Sequence, residues 1–340
     1  MYKRIMALFI SVFLLVGISF SAFAQQEDLK EVQDSVKAFS EALAKSLPFN
    51  SALGLNWSDA YIGKITDGHF GVGISAGVTT MDMAPIKRAA SNFGVDIPLD
   101  WGKMPFPGYT VEGRIGGFSL PFDIGLKFGI LPSLNLFDIN LNYLQVGGDL
   151  RFAIMDGISK PLLPNFSLGV GVNYLKGGIG ATANIGRTLT YEILPGTPLA
   201  STERIVLGDA DVNLEWNTVA LDVKAQISKT FAILTPYLGL GGSYAMSSAG
   251  YSVDSEITRN GTRITTQDIA QINEYLRFMG IDEVDISPDG ISSTIKRSDF
   301  SVRAFLGTSL NLAAFRLDLT GLYSILDGNF GGSVGLRFQL

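Results

Sequence analysis

Few residues of this chain have the types and spacing that do chemistry. A single histidine, His69, opens an alternating run and has no second histidine with which to share proton transfer, so it reads as a rim residue and not as part of a hydrolase. Gly71-Val72-Gly73 and Gly239-Leu240-Gly241-Gly242 imitate phosphate-cradling loops, but they lie inside strand-like runs and precede no helix. Asp209, Asp211 and Asn213 have the opening spacing of a calcium loop. Leu214 stands where the glycine is needed, however, and Ala220 where the closing glutamate belongs. Asp282, Glu283, Asp285 and Asp289 form an acidic stretch of the kind usual in a solvated loop tip. The chain has no cysteine, which removes disulfides, cysteine-zinc sites, heme attachment and a lipid-modified N-terminal cysteine. The expectation is no enzyme, no metal site and no cofactor.

The other charged residues that draw notice are spaced by two. Glu112, Arg114, Asp123, Lys127, Asp149, Arg151, Asp222, Lys224, Arg303, Arg316, Asp318 and Arg337 all fall on one face of period-two runs whose other face is apolar. In the first run Phe70, Val72, Ile74, Ala76 and Val78 alternate with Gly71, Gly73, Ser75, Gly77 and Thr79. The same rhythm returns from Tyr109, Phe122, Leu144, Phe166, Val219, Leu238, Phe300, Phe315 and Phe330, which makes about ten strands. A soluble sandwich puts its charges outside. Here the charged face also carries Gly, Ser, Thr and Asn, while the apolar face is nearly free of charge and tends to begin or end with an aromatic, which fits a transmembrane barrel better.

Link lengths alternate in phase with that reading. The links at 117–121, 155–165, 229–235 and 313–314 are short and fall on the side of both barrel termini. The links at 79–108, 131–143, 175–218 and 247–299 are long, with 326–329 the one tight link among them, which is the asymmetry of an outer-membrane barrel. Further alternation at Thr188–Ile193, Asp211–Trp216, Tyr251–Ile257 and Ile291–Ile295 reads either as strand extensions or as extra strands, so the count is ten to fourteen. Helices are expected within 82–93 and 267–279.

Residues 1–24 read as a signal peptide: Lys3 and Arg4, an apolar run from Met6 to Phe20, and Ala22-Phe23-Ala24 as the cleavage site. No later stretch is apolar enough for a spanning helix, although 46% of residues are hydrophobic and mean hydropathy is +0.27. Residues 25–65 begin with an amphipathic helix over 26–47, with Leu29, Val32, Val36, Phe39, Leu43 and Leu47 on one stripe and Pro48 after its end. It is expected at the short-turn mouth of the barrel, either as a plug with 49–65 entering the lumen or as a helix packed on the rim. Residues 66–340 form the barrel.

The final run Phe330–Leu340, with Val334, Leu336 and Phe338 spaced by two, resembles the C-terminal recognition strand of outer-membrane barrels, though Leu340 replaces the usual terminal Phe. The amphipathic N-terminal segment, the strands and the helix-bearing outer loops are together similar to the long-chain fatty-acid transporter family, including its shorter spirochaete-type relatives. That resemblance implies an outer-membrane channel or uptake protein for small hydrophobic solutes such as fatty acids. It also implies outer-membrane lipid and the barrel-assembly machinery as partners, the latter through strand 330–340. The alternative is a non-transporting barrel that anchors surface loops for adhesion or envelope structure, its lumen a core of neighbouring pairs Glu112/Arg114, Asp149/Arg151 and Asp222/Lys224. A net charge of -6 without a basic cluster excludes nucleic acid as an expected partner. Mixed signs in the lumen argue against strong ion selectivity. A charge at lipid-facing Leu126 is expected to be costly, and loss of Lys127 mild.

Overall fold

Runs rich in Val, Ile, Leu and aromatics with period two bury one face and pair along their edges, so each becomes a strand. The computed structural model describes residues 26–84, 87, 102–118, 120–136, 139–160, 162–183, 187–193, 201–259, 261–263, 265–267, 270, 285–287 and 290–340. The elements are α1 (Gln26–Asn50), β1 (Phe70–Asp82), β2 (Lys103–Gly116), β3 (Phe122–Leu136), β4 (Ile139–Met155), β5 (Asn165–Ala183), β6 (Arg187–Ile193), β7 (Ser201–Ser228), β8 (Leu234–Arg259), β9 (Thr262–Arg263), β10 (Asp285–Ser287), β11 (Gly290–Leu312), β12 (Phe315–Ser324) and β13 (Phe330–Gln339).

Ten of the strands, β1–β5, β7, β8 and β11–β13, close into an antiparallel barrel. The seam joins the first strand to the last, from Gly71↔Gln339 to Thr79↔Gly331. Closure leaves no unpaired edge among the staves, which is how strands satisfy every backbone donor and acceptor without water. Strands β6, β9 and β10 add short hairpins to β7, β8 and β11.

The end of the barrel that holds His69, Leu340 and the short turns is called lower here, and the opposite end upper. At the upper end the sequence expectation is corrected. The long link at 131–143 shrinks to residues 137–138, and most of 175–218 and 247–299 is strand: β7 has 28 residues, β8 26 and β11 23. Thr188–Ile193 is a separate strand, β6, whereas Asp211–Trp216, Tyr251–Ile257 and Ile291–Ile295 are extensions of staves. Above the apolar band the ladder continues, with Leu214, Trp216 and Ala249 turned toward the upper-lumen core. Of the two upper helices expected, at 82–93 and 267–279, Asp82 ends β1 and Met83 follows it, while Ala84 and Lys87 in the first and Gln267 and Ala270 in the second are helical. The rest lie outside the described residues.

The outward face is apolar and exposed. Val219, Leu221, Val223 and Ile227 on β7 and Leu238, Leu240, Tyr244 and Met246 on β8 are typical. Aromatics border this band. Phe70, Phe122, Phe152, Phe315 and Phe338 lie low, with Phe315 and Phe338 5.7 Å apart, and Tyr109, Tyr174, Tyr244, Phe300, Tyr323 and Phe330 lie high, with Tyr244 and Phe300 4.8 Å apart. Along β12 the rows are eight residues apart, about 26 Å of strand.

Candidate functional site: the occupied lumen

The barrel interior is filled by the chain's own N-terminal segment. Helix α1 stands against β11, β8, β1 and β7, and runs through Pro48 to Asn50 instead of ending before the proline. The missing Pro48 amide costs one helical bond, while Ser51 N still reaches Leu47 O at 2.8 Å and Phe49 becomes buried. Phe39, Leu43, Ala44 and Leu47 pack with Met81, Met83, Met104, Phe106, Tyr143, Trp216 and Ala249 in the upper lumen. Below them Phe49 and Leu53 meet Tyr237, Phe305 and Leu322. This corrects the expected position of the helix: it lies inside the barrel toward the upper end, not at the short-turn mouth.

Residues 51–64 descend as an irregular segment without regular secondary structure, and the wall satisfies much of their backbone. Lys127 Nζ and Gln145 Nε2 both donate to the carbonyls of Ser51 and Leu53, at 2.6–2.9 Å. Gln226 Nε2 donates to Trp57 O and Ser58 O, Arg151 Nη1 to Asp59 O at 2.6 Å, and Tyr237 Oη to Asn56 O at 3.2 Å. In return Ile62 N donates to Asp123 Oδ2 and Ala60 N to Ser228 Oγ. The segment then joins the lower rim, where Ile65 N bonds to Gly117 O. Wall glycines make room for it. A methyl at Gly71 would sit 2.8 Å from the Trp57 ring, and one at Gly108 would sit 2.7 Å from Leu53. Gly54 itself has φ +84°, a left-handed turn that lets the segment pass the hydroxyl of Thr110.

All twelve singled-out charges lie on the inward faces of β2, β3, β4, β7, β11, β12 and β13, ten of them in buried residues and Asp149 and Arg316 half-buried. They do not pair with their neighbours two residues away, as the pairs Glu112/Arg114, Asp149/Arg151 and Asp222/Lys224 would have it. Arg114 bridges Asp123 (2.5 Å) and Asp149 (2.6 Å), Arg151 joins Asp123 (2.8 Å), and Lys224 joins Asp149 (2.5 Å). Arg303 takes Asp222 at 2.7 Å and Arg337 takes Asp318 at 2.6 Å. Side chains two apart on one strand are nearly 7 Å away, whereas those on adjacent strands are about 5 Å away, which favours Arg114–Asp123, Arg151–Asp123 and Arg337–Asp318. The other three pairs reach across an intervening strand, where glycines such as Gly125 and Gly241 leave the space over which the side chains meet. Glu112 accepts instead from Trp57 Nε1 at 2.6 Å, from Thr110 and from Ser75.

The plug's own functional groups, Asp59 and Trp57, are absent from the sequence reading. Asp59 pairs with Arg337 at 2.8 Å and Arg316 at 3.4 Å, and the Arg337 guanidinium stacks 4.6 Å over the Trp57 ring. Residues 49–65 have no period, so nothing local marks them as core. A cavity of about 10 Å³ beside Trp57, Glu112 and Arg337 has room for about one water.

The motifs weighed for chemistry are placed apart. The His69 ring meets Leu340 O at 3.1 Å on the lower rim. Asp211 and Asn213 pair in an extended ladder with Asp254 and Ser252, which is no calcium loop, and of the acidic stretch only Asp285, in β10, is described. Among the described residues no group of three or more His, Asp or Glu is placed to hold a metal ion.

No family model and no curated protein matches the chain. Solved structures that match include the outer-membrane protease OmpT from Escherichia coli, at 10% identity, with 80% of this chain and 97% of that one covered and a TM-score of 0.40. The translocator domain of the autotransporter NalP from Neisseria meningitidis has 10% identity, coverage of 90% and 96%, and a TM-score of 0.29. A Pseudomonas aeruginosa FadL homologue has 10% identity, coverage of 88% and 94%, and a TM-score of 0.25. Likenesses this distant assign no substrate or activity.

Proposed function

We propose that this chain is an outer-membrane barrel closed by its own N-terminal segment, acting as a gated channel or uptake protein for small apolar solutes such as fatty acids. One observation carries the reading: along its axis the bore is filled by a continuous N-terminal stretch of chain, for which wall glycines such as Gly71 and Gly108 leave room. Such a bore opens when the segment moves. Around residues 51–64 many of the contacts are hydrogen bonds, which net about 0.5–1.5 kcal/mol each against water and about 1.5–3 kcal/mol where the donor is charged, as for Lys127 and Arg151. Moving this part therefore exchanges a set of modest interactions for water. In the upper lumen Met81, Met83, Met104 and Phe106 offer a solute apolar walls once the helix is displaced. The exposed apolar band between two aromatic rows suits a bilayer.

On this reading residues 1–24 direct export and are removed after Ala24, lipid surrounds the band, and β13 is the strand handed to the barrel-assembly machinery. The long upper strands then stand outside the cell. Conductance in planar bilayers tests the proposal: the full chain stays closed, and a variant lacking residues 25–65 conducts and admits a labelled fatty acid to proteoliposomes. The second reading, a barrel anchoring surface strands, is favoured by the ion pairs that knit wall and plug into a filled core. A deletion variant that folds, conducts no better and takes up no apolar solute establishes that reading instead.

A further inference from the structure

The lumen segment has a direction, and toward its N-terminus it leads away from the end at which the barrel strands begin. From the lower rim upward, Ile65 bonds to Gly117, Trp57 lies against Gly71 and Glu112, Leu53 lies against Gly77 and Gly108, and Leu43 and Leu47 cluster with Met81 and Met83. Because β1 climbs from Phe70 to Asp82, each step back toward the N-terminus is a step toward the upper end. Lys45 confirms the height, reaching Asp327 in the upper β12–β13 turn at 2.9 Å. Helix α1 continues in the same direction for 19 residues beyond Lys45, from Ala44 back to Gln26, about 28 Å at 1.5 Å per residue. The tall walls of β7, β8 and β11 rise on that side.

We infer that the N-terminal end of α1 emerges at the upper end of the barrel, so that residue 26 and whatever precedes it in the mature chain are presented on the face that carries the long strands. Given the orientation under the proposed function, that face is the cell exterior, and the plug offers an outer partner a handle on the segment that closes the bore. A helix with its side chains is 10–12 Å wide, and the β1–β13 seam is closed by a continuous ladder. The segment therefore reaches its place along the barrel axis and not through the wall.

The chain has no cysteine, so single cysteines report without background. In intact cells bearing the full chain, a membrane-impermeant maleimide should label Glu27→Cys to within about twofold of Pro198→Cys, in the β6–β7 link. Ser159→Cys, in a lower turn, should need outer-membrane permeabilisation. Labelling of Glu27→Cys that follows Ser159→Cys overturns the inference. If Glu27→Cys and Pro198→Cys are both shielded while Ser159→Cys is labelled, the threading stands and the proposed orientation is wrong. Purified protein gives a check independent of cells: a short bis-maleimide should join Leu47→Cys to Met81→Cys and not Leu47→Cys to Ser228→Cys, and the reverse pattern overturns the inference.

Discussion

Asp59 on the plug and Arg337 on the last strand meet at 2.8 Å, so one contact ties the lumen segment to the strand that closes the barrel. Arg337 also holds Asp318 of β12, and Ser58 Oγ accepts from the same guanidinium at 2.9 Å. The N-terminal segment thereby braces the β12–β13 pair next to the seam that the β1–β13 ladder closes.

Asp59→Ala should destabilise the folded protein by about 3 kcal/mol, the lower end for a broken buried pair, because Asp318 still neutralises Arg337. Chemical denaturation in detergent measures it. Combining the change with Arg337→Gln should cost less than the sum of the two, since each removes the same contact.

Gly108→Val should be costly only while the plug is present. Its Cβ alone would meet Leu53 at 2.7 Å and the Tyr143 hydroxyl at 3.0 Å, an overpacking worth about 1–3 kcal/mol. In a variant without residues 25–65 the penalty should shrink, because the Leu53 obstacle is gone. Equal penalties in the two backgrounds would place the strain in the wall alone.

Leu126 and Lys127 are successive residues with opposite environments, one 66% exposed and the other buried. Leu126→Arg should cost about 2–4 kcal/mol in a lipid refolding titration if it faces the midplane. Lys127→Ala, expected from the sequence to be mild, should instead cost about 1–3 kcal/mol, because two plug carbonyls lose a charged donor and keep only Gln145.

Protease added to intact cells should cut within the upper links 194–200 and 271–284 and spare the lower turns at 156–164 and 229–233. Mass spectrometry of the fragments locates the cuts. Cleavage confined to the lower turns reverses the orientation proposed for the barrel.

The sequence by itself determined the staves and the side each residue takes. Alternation from Phe70 to Val78 or from Phe122 to Ile130 is a local property, legible because one face of each strand meets apolar surroundings and the other does not. That parity puts Glu112, Arg114, Asp123 and Lys127 on the inward face without any knowledge of the barrel. It could not say that Arg114 chooses Asp149, 35 residues away, over Glu112 beside it, since that depends on register and sheet closure. Nor could it choose between extensions and extra strands for the alternation at Asp211–Trp216 and Tyr251–Ile257, since that depends on which backbone each stretch pairs with. The tertiary structure alone decided the course of residues 49–65. Trp57 and Asp59 have no periodic partners in sequence and become core only because ten strands curve round them, several supplying a donor or an acceptor where the segment lacks one.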